Sequence, residues 1–310
     1  MQISLLLIRQ IAVLFLMILM GFLLVKAKLL KASESAPLSR IVLWLVLPCV
    51  ILDAFQVPYT PEKIHGLLLA FAAAGLSHAV LLLAGFLLRR LFHLDGVELT
   101  SLCYPNAGNL IVPIVTSVLG KEWVLYASAF MSVQLVLIWT HGRQAISGTR
   151  GLPWKKLLGN VNILAIALGL VLFLCGIRLP SILGSTVQAV GGTIGPLSMF
   201  VTGMLIASSD LRALFRNGRL YLMTALRLVA LPLAVLLLLK CSGLANLHPQ
   251  GNTILLVTFL AVITPSASAV TQMAQVYGGD ARYASAINVM TTLLCILTMP
   301  LLVGLYQALG

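Results

Sequence analysis

Tyr104-Pro105-Asn106-Ala107-Gly108-Asn109 and Thr264-Pro265-Ser266-Ala267-Ser268 each put a proline and hydrogen-bonding side chains inside a long apolar run. A proline in a helix interior removes a hydrogen bond and clashes with the preceding turn, at a cost of about 3 kcal/mol. Asn or Ser directly after such an interruption is a favoured N-cap for a helix that restarts. Each interruption therefore offers backbone amides, carbonyls and the side chains of Asn106, Asn109, Ser266 and Ser268 to a ligand. Pro105, Gly108 and Pro265 are the residues expected to keep the helices broken. The restarted helices present positive N-termini, which favour anions, while the first halves present negative C-termini. Dipoles alone thus leave the ligand's charge open. Gln134 and Gln272 are uncharged candidates for the lining of the same cavity.

Ionisable residues inside apolar runs are costly, by roughly 2.5 to 3.5 kcal/mol on insertion scales, and point to function. Arg227 has two readings of that kind: a counter-charge for an anion, or a clamp on the carbonyls of a broken helix. Snorkelling to an interface or pairing with Asp210 is the structural alternative. His78 could relay a proton near neutral pH, or serve as a hydrogen-bonded packing residue. Arg9 and Asp53 both fall toward the outer ends of their runs and are expected to pair. The five cysteines are scattered without metal or redox spacing, and read as small hydrophobes. Neither a metal nor a cofactor is expected.

The elements that must position these residues follow from composition. Hydrophobic residues make up 60% of the 310 positions and charged residues 9%, with a mean hydropathy of +1.06. A soluble domain needs far more polar surface, so the chain is expected to be an all-α polytopic membrane protein. Hydropathy predicts ten spans, near 5–25, 39–57, 66–88, 98–119, 122–140, 160–177, 190–208, 219–239, 252–274 and 284–306. If the loops alternate sides, one set carries 14 Lys and Arg and the other 4. The positive-inside rule puts the first set in the cytoplasm and both termini outside, in a cell membrane. The net charge of +12 is thereby explained by topology, and nucleic acid is not an expected partner.

Ten spans divide into two fives, and five is odd, so the halves would enter the membrane from opposite sides. The order Tyr-Pro-Asn-Ala, Val-Leu-Gly, Tyr-Ala-Ser-Ala from residue 104 recurs as Thr-Pro-Ser-Ala, Val-Tyr-Gly, Tyr-Ala-Ser-Ala from residue 264. The expected organisation is residues 1–140 as a first five-helix repeat, 141–159 as a cytoplasmic linker and 160–310 as a second, inverted repeat. The interruptions then fall in spans 4 and 9, near the bilayer midplane, where unwound backbone is tolerated only against protein or a watery cavity.

Six stretches in order resemble the auxin efflux carrier family in its bacterial branch. They are Pro105 to Asn109 with Pro113; Gly169-Leu170 to Leu179-Pro180; Gly195-Pro196-Leu197 with Gly203-Met204-Leu205; Arg227-Leu228 to Leu231-Pro232; Thr264 to Ala267 with Tyr277-Gly278; and Trp44 to Phe55 around Pro48. The resemblance implies crossed spans 4 and 9 and one bundle moving against a scaffold that often dimerises. It also implies transport of organic anions, auxin in plants and carboxylates such as malate or malonate in bacteria, with Asn106 and Asn109 at matching polar positions of the crossover. The linker is short beside the large loop of the plant carriers, which argues against their regulation by phosphorylation.

The leading expectation is a secondary carrier of small organic anions that works by alternating access. No G-x-x-x-x-G-K-[ST] loop occurs, so energy must come from a gradient or from the substrate. The broken spans and those following them lack acidic residues once Glu98 and Glu122 are set at the interface. Uniport, anion exchange or a histidine-mediated proton step are therefore favoured over sodium coupling. An intramembrane protease is disfavoured, because Asp53 stands alone and no Gly-x-Ser-x-Gly is present. A non-transporting receptor on the same fold is the other alternative.

Overall fold

A computed structural model describes residues 2–149, 159–208, 210, 212 and 216–309, with side chains described except at 2–11, 14, 108, 109 and 275. The described residues form helices in the order α1 (Gln2–Lys26), α2 (Ala32–Ala54), α3 (Pro61–Phe92), α4a (Gly96–Cys103), α4b (Ala107–Val118), α5 (Lys121–Ser147), α6 (Val161–Leu174), α7 (Ser181–Ala207), α8 (Gly218–Cys241), α9a (Gly251–Val262), α9b (Ser268–Tyr277) and α10 (Ala281–Ala308). Each hydropathy window falls on one of these helices or on one of the two broken pairs. By length and composition α2, α3, α5, α7, α8 and α10 are long and apolar enough to cross a membrane, which makes the chain a multi-pass membrane protein. Helix α5 runs on to Ser147, so the first residues assigned to the linker are helical; residues 150–158 lie outside the described residues.

Local chemistry sets the helix limits. Thr60 accepts a hydrogen bond from the Lys63 amide with Pro61 at the first helical position, which starts α3. Asp95 and Glu98 form a reciprocal capping box that starts α4a, and Asp280 caps α10. Three helices contain a π-helical turn: Val42–Val46 in α2, Ile138–Gly142 in α5 and Leu226–Ala230 in α8. In α2 and α8 the turn ends two residues before Pro48 and Pro232, whose missing amides leave preceding carbonyls free and widen the helix.

The helices sort into two sets by contact. Helices α1, α2, α6 and α7 pack mainly on one another, and α3, α4, α5, α8, α9 and α10 form the second set. The closest pairing within the first is α1 on α7, and glycine makes it so. A Cβ at Gly21 would collide with the Phe200 backbone, and one at Gly203 with the Ile18 carbonyl and the Phe22 amide. Without a hydrophobic drive between helices in lipid, such backbone proximity is what dispersion forces require.

Gly203→Leu is expected to force α1 off α7 and to cost about 1–3 kcal/mol, read as a lower melting temperature of the detergent-solubilised protein. Gly304→Ala, placed where nothing lies within 4 Å, should leave it unchanged.

Candidate functional site

Both interruptions are present, and they meet. Chain direction reverses between them, so Pro105 and Ser266 form an isolated antiparallel bridge. The Asn106 amide donates to the Pro265 carbonyl at 2.7 Å, and the Ala267 amide to the Tyr104 carbonyl at 3.0 Å. Two strand-like residues from each segment thus satisfy one another where neither helix can.

The carbonyls left over are collected by side chains. Gln134 of α5 donates its Nε2 to the Pro105 carbonyl at 2.7 Å, and Asn288 of α10 donates its Nδ2 to the Ser266 carbonyl at 2.6 Å. In each half, an amide from the helix after the break holds that break. Thr291 Oγ1 accepts the Ser266 amide at 3.1 Å. Arg227 takes the rest: Nη1 donates to the Leu102 carbonyl at 3.1 Å, and Nη2 to those of Val262 and Thr264 at 2.6 and 2.8 Å. Its side chain is fully buried, these three partners are all carbonyls, and it sits in the π-helical turn of α8. A guanidinium among helix C-termini is favourable on dipole grounds, and its planar fork can span carbonyls from two segments where an ammonium could not.

Beside the bridge lies a cavity of about 280 Å³ between α2, α5, α6 and α9b. Asn106, Gln134, Ser268 and Gln272 line it, with Asn160 and Asn162 from the start of α6 and the rings of Trp44, Trp139 and Tyr277. Among the described residues, no Asp, Glu, Lys, Arg or His lines it. Arg227 lies behind the bridge, and the Arg143 guanidinium stands 5.3 Å from the centroid of the Tyr277 ring in the cavity wall.

The expected site residues separate accordingly. Asn106, Ser268, Gln134, Gln272 and Pro105 surround the cavity. Ser266 is completely buried behind it, its Oγ without a hydrogen-bond partner. Pro265 accepts the bridge hydrogen bond from Asn106. The side chain of Asn109 lies outside the described residues; its backbone, like that of Gly108, belongs to the first turn of α4b. His78 stands apart from the cavity lining, with Nδ1 2.8 Å from the Ala74 carbonyl and the ring 4.4 Å from that of Phe130. Asp53 pairs with Lys121 at 2.7 Å; the side chain of Arg9, its expected partner, is outside the described residues.

Several participants were missed in the sequence. Asn288 and Thr291 are polar residues in an apolar span and could have been found by the same criterion that singled out Gln134. Asn160 and Asn162 read as a helix start, and Asn160 does accept the Asn162 amide there at 2.9 Å. Glu98 was placed at the interface, yet it is 4% exposed and takes a two-pronged bond from Arg219 at 2.7 and 2.8 Å plus the Tyr283 hydroxyl at 3.1 Å. That cluster ties α4a to α8 and α10, so it steadies the first half of the crossing.

The profile of the membrane transport protein family matches residues 6–151 and 149–303, nearly the whole chain. Among curated proteins none matches. The helices and the motif-bearing breaks agree with that match from end to end: the chain belongs to the auxin efflux carrier family of membrane transport proteins.

Proposed function

We propose that the protein is a secondary carrier of small organic anions, carboxylates of the malate, malonate or auxin type, that binds its substrate beside the helix crossing and works by alternating access. The observation that carries this reading is the uncompensated Arg227 at the junction of two broken helices, next to a cavity with amide and hydroxyl side chains and no acid among its lining residues. An anion there meets the positive ends of α4b and α9b, hydrogen-bond donors on Asn106, Ser268 and Gln272, and the field of a buried guanidinium. The ten helices or broken pairs are ten crossings in two inverted repeats, with the Lys- and Arg-rich loops on the cytoplasmic side of a cell membrane.

Alternating access needs two bodies and a closure on one side at a time. The set of α1, α2, α6 and α7 is the scaffold and the other six helices the moving bundle. On the side of the chain taken as outer, Asp53 of α2 holds Lys121 at the start of α5. This ion pair joins the two bodies and closes that side, while the cavity lies toward the opposite face. Breaking it is a step of the transport cycle.

Arg227 also bears on coupling. The carbonyls at the ends of α4a and α9a are oxygen ligands of the kind that hold sodium, and a guanidinium already fills their convergence. Transport of this kind runs without sodium.

Counterflow in proteoliposomes against labelled malate, malonate and indole-3-acetate tests the reading. Asn106→Ala should lower flux or raise KM about tenfold, the scale of one lost charge-assisted hydrogen bond; unchanged flux and affinity for every acid would remove the site. Replacing sodium by N-methylglucamine should leave the rate as it was. Arg227→Met should abolish flux and lower stability by about 3 kcal/mol or more, because several buried carbonyls lose their donor together. Asp53→Lys should slow exchange, and adding Lys121→Asp should restore it; a double variant no better than the single one would count against the closure.

A further inference from the structure

We propose that a second cavity, of about 610 Å³ and lined by α2, α7, α9b and α10, is a separate anion-binding vestibule in which Arg40 captures a carboxylate before it reaches the crossing.

The two cavities are neighbours with a common wall. Leu43, Trp44, Ser268, Gln272 and Val276 line both. Ser268, Gln272 and Val276 are spaced four residues apart, so they form one stripe along α9b. Opposite them, Leu43 and Trp44 belong to the π-helical turn of α2. A molecule passing between the cavities moves along this stripe and past the Trp44 ring.

The chemistry of the larger cavity differs from that of the smaller one. Among the described residues its lining includes a single cation, Arg40, and no Asp or Glu. Arg40 is exposed and makes no hydrogen bond or ion pair with any described residue, which leaves its planar fork available to a ligand. It stands one helical turn before Trp44. Hydroxyls outnumber amides here: Ser39, Ser198, Thr202, Thr271 and Ser285 line this space beside Gln272 and Asn288. Ser39 and Thr202 give their protons to carbonyls of their own helices. Ser198 does not. Its residue is 2% exposed and its Oγ is buried without a partner in the wall of the cavity. An unpaired guanidinium, a wall of hydroxyls and amides and, among the described residues, no acidic lining suit a mono- or dicarboxylate, with the bidentate fork of Arg40 fixing one carboxyl group. The role as a waiting position rests on the carrier reading above; the binding itself does not.

The test uses the purified full-length chain and malonate as the probe, with tryptophan fluorescence as the readout and sodium chloride at matched ionic strength as the control. Malonate should quench the emission saturably, and Trp44→Phe should remove most of that signal. Arg40→Gln should weaken the apparent affinity at least tenfold and Arg40→Lys less, both with an unchanged melting temperature. In malonate counterflow the same Arg40→Gln change should raise KM with little effect on kcat. The absence of a saturable malonate response in the wild type, or an Arg40→Gln affinity equal to wild type, would overturn the vestibule. Asn106→Ala separates the two sites. If it leaves counterflow untouched while Arg40→Gln still weakens quenching, the crossing is not the transport site and the vestibule stands.

Discussion

Unwound backbone in an apolar medium survives only where each freed carbonyl and amide finds a partner, and in this protein many of the partners come from other segments. Asn106 and Ala267 supply amides across the bridge, Gln134 and Asn288 supply side-chain amides from the following helices, and Arg227 gathers the carbonyls of Leu102, Val262 and Thr264. Remove this exchange and the prolines at 105 and 265 would be defects. With it, they become the means of exposing polar backbone beside a cavity.

The same constraint explains the arrangement of the rest. Helices α4, α5, α8, α9 and α10 each provide some part of that accounting, and Glu98, bound by Arg219 and Tyr283, fastens three of them together. Helices α1, α2, α6 and α7 meet through small residues, with α1 and α7 in backbone contact at Gly21 and Gly203. Dispersion and a hydrogen bond from Asn162 Nδ2 to the Leu43 carbonyl hold that set. Among the described residues one ion pair, Asp53 with Lys121, joins the two sets.

Charge is distributed with similar economy. The cavity beside the crossing has no ionised lining residue, and Arg227 acts from behind the bridge, where its carbonyl partners keep it fixed. For the carrier function proposed above, a cation one layer back would bias the site toward anions while hydrogen bonds from Asn106, Ser268 and Gln272 set the fit.

The sequence by itself determined that the chain is helical and lies in a membrane, because hydropathy over about twenty residues and the lack of charge report directly on the solvent each segment prefers. It also located both breaks, since proline beside Asn or Ser inside an apolar run has only local causes and local consequences. Only the tertiary structure decided which polar groups line a cavity and which serve the backbone. Ser266 and Ser268 look alike in sequence, yet one is sealed behind the bridge and the other lines both cavities. Arg227 could have faced a ligand, an aspartate or the interface, and its carbonyl partners come from residues 125 and 35 to 37 positions away. Asp53 likewise found Lys121. Such pairings depend on how whole helices are placed against one another, and a residue's neighbours along the chain carry no record of that.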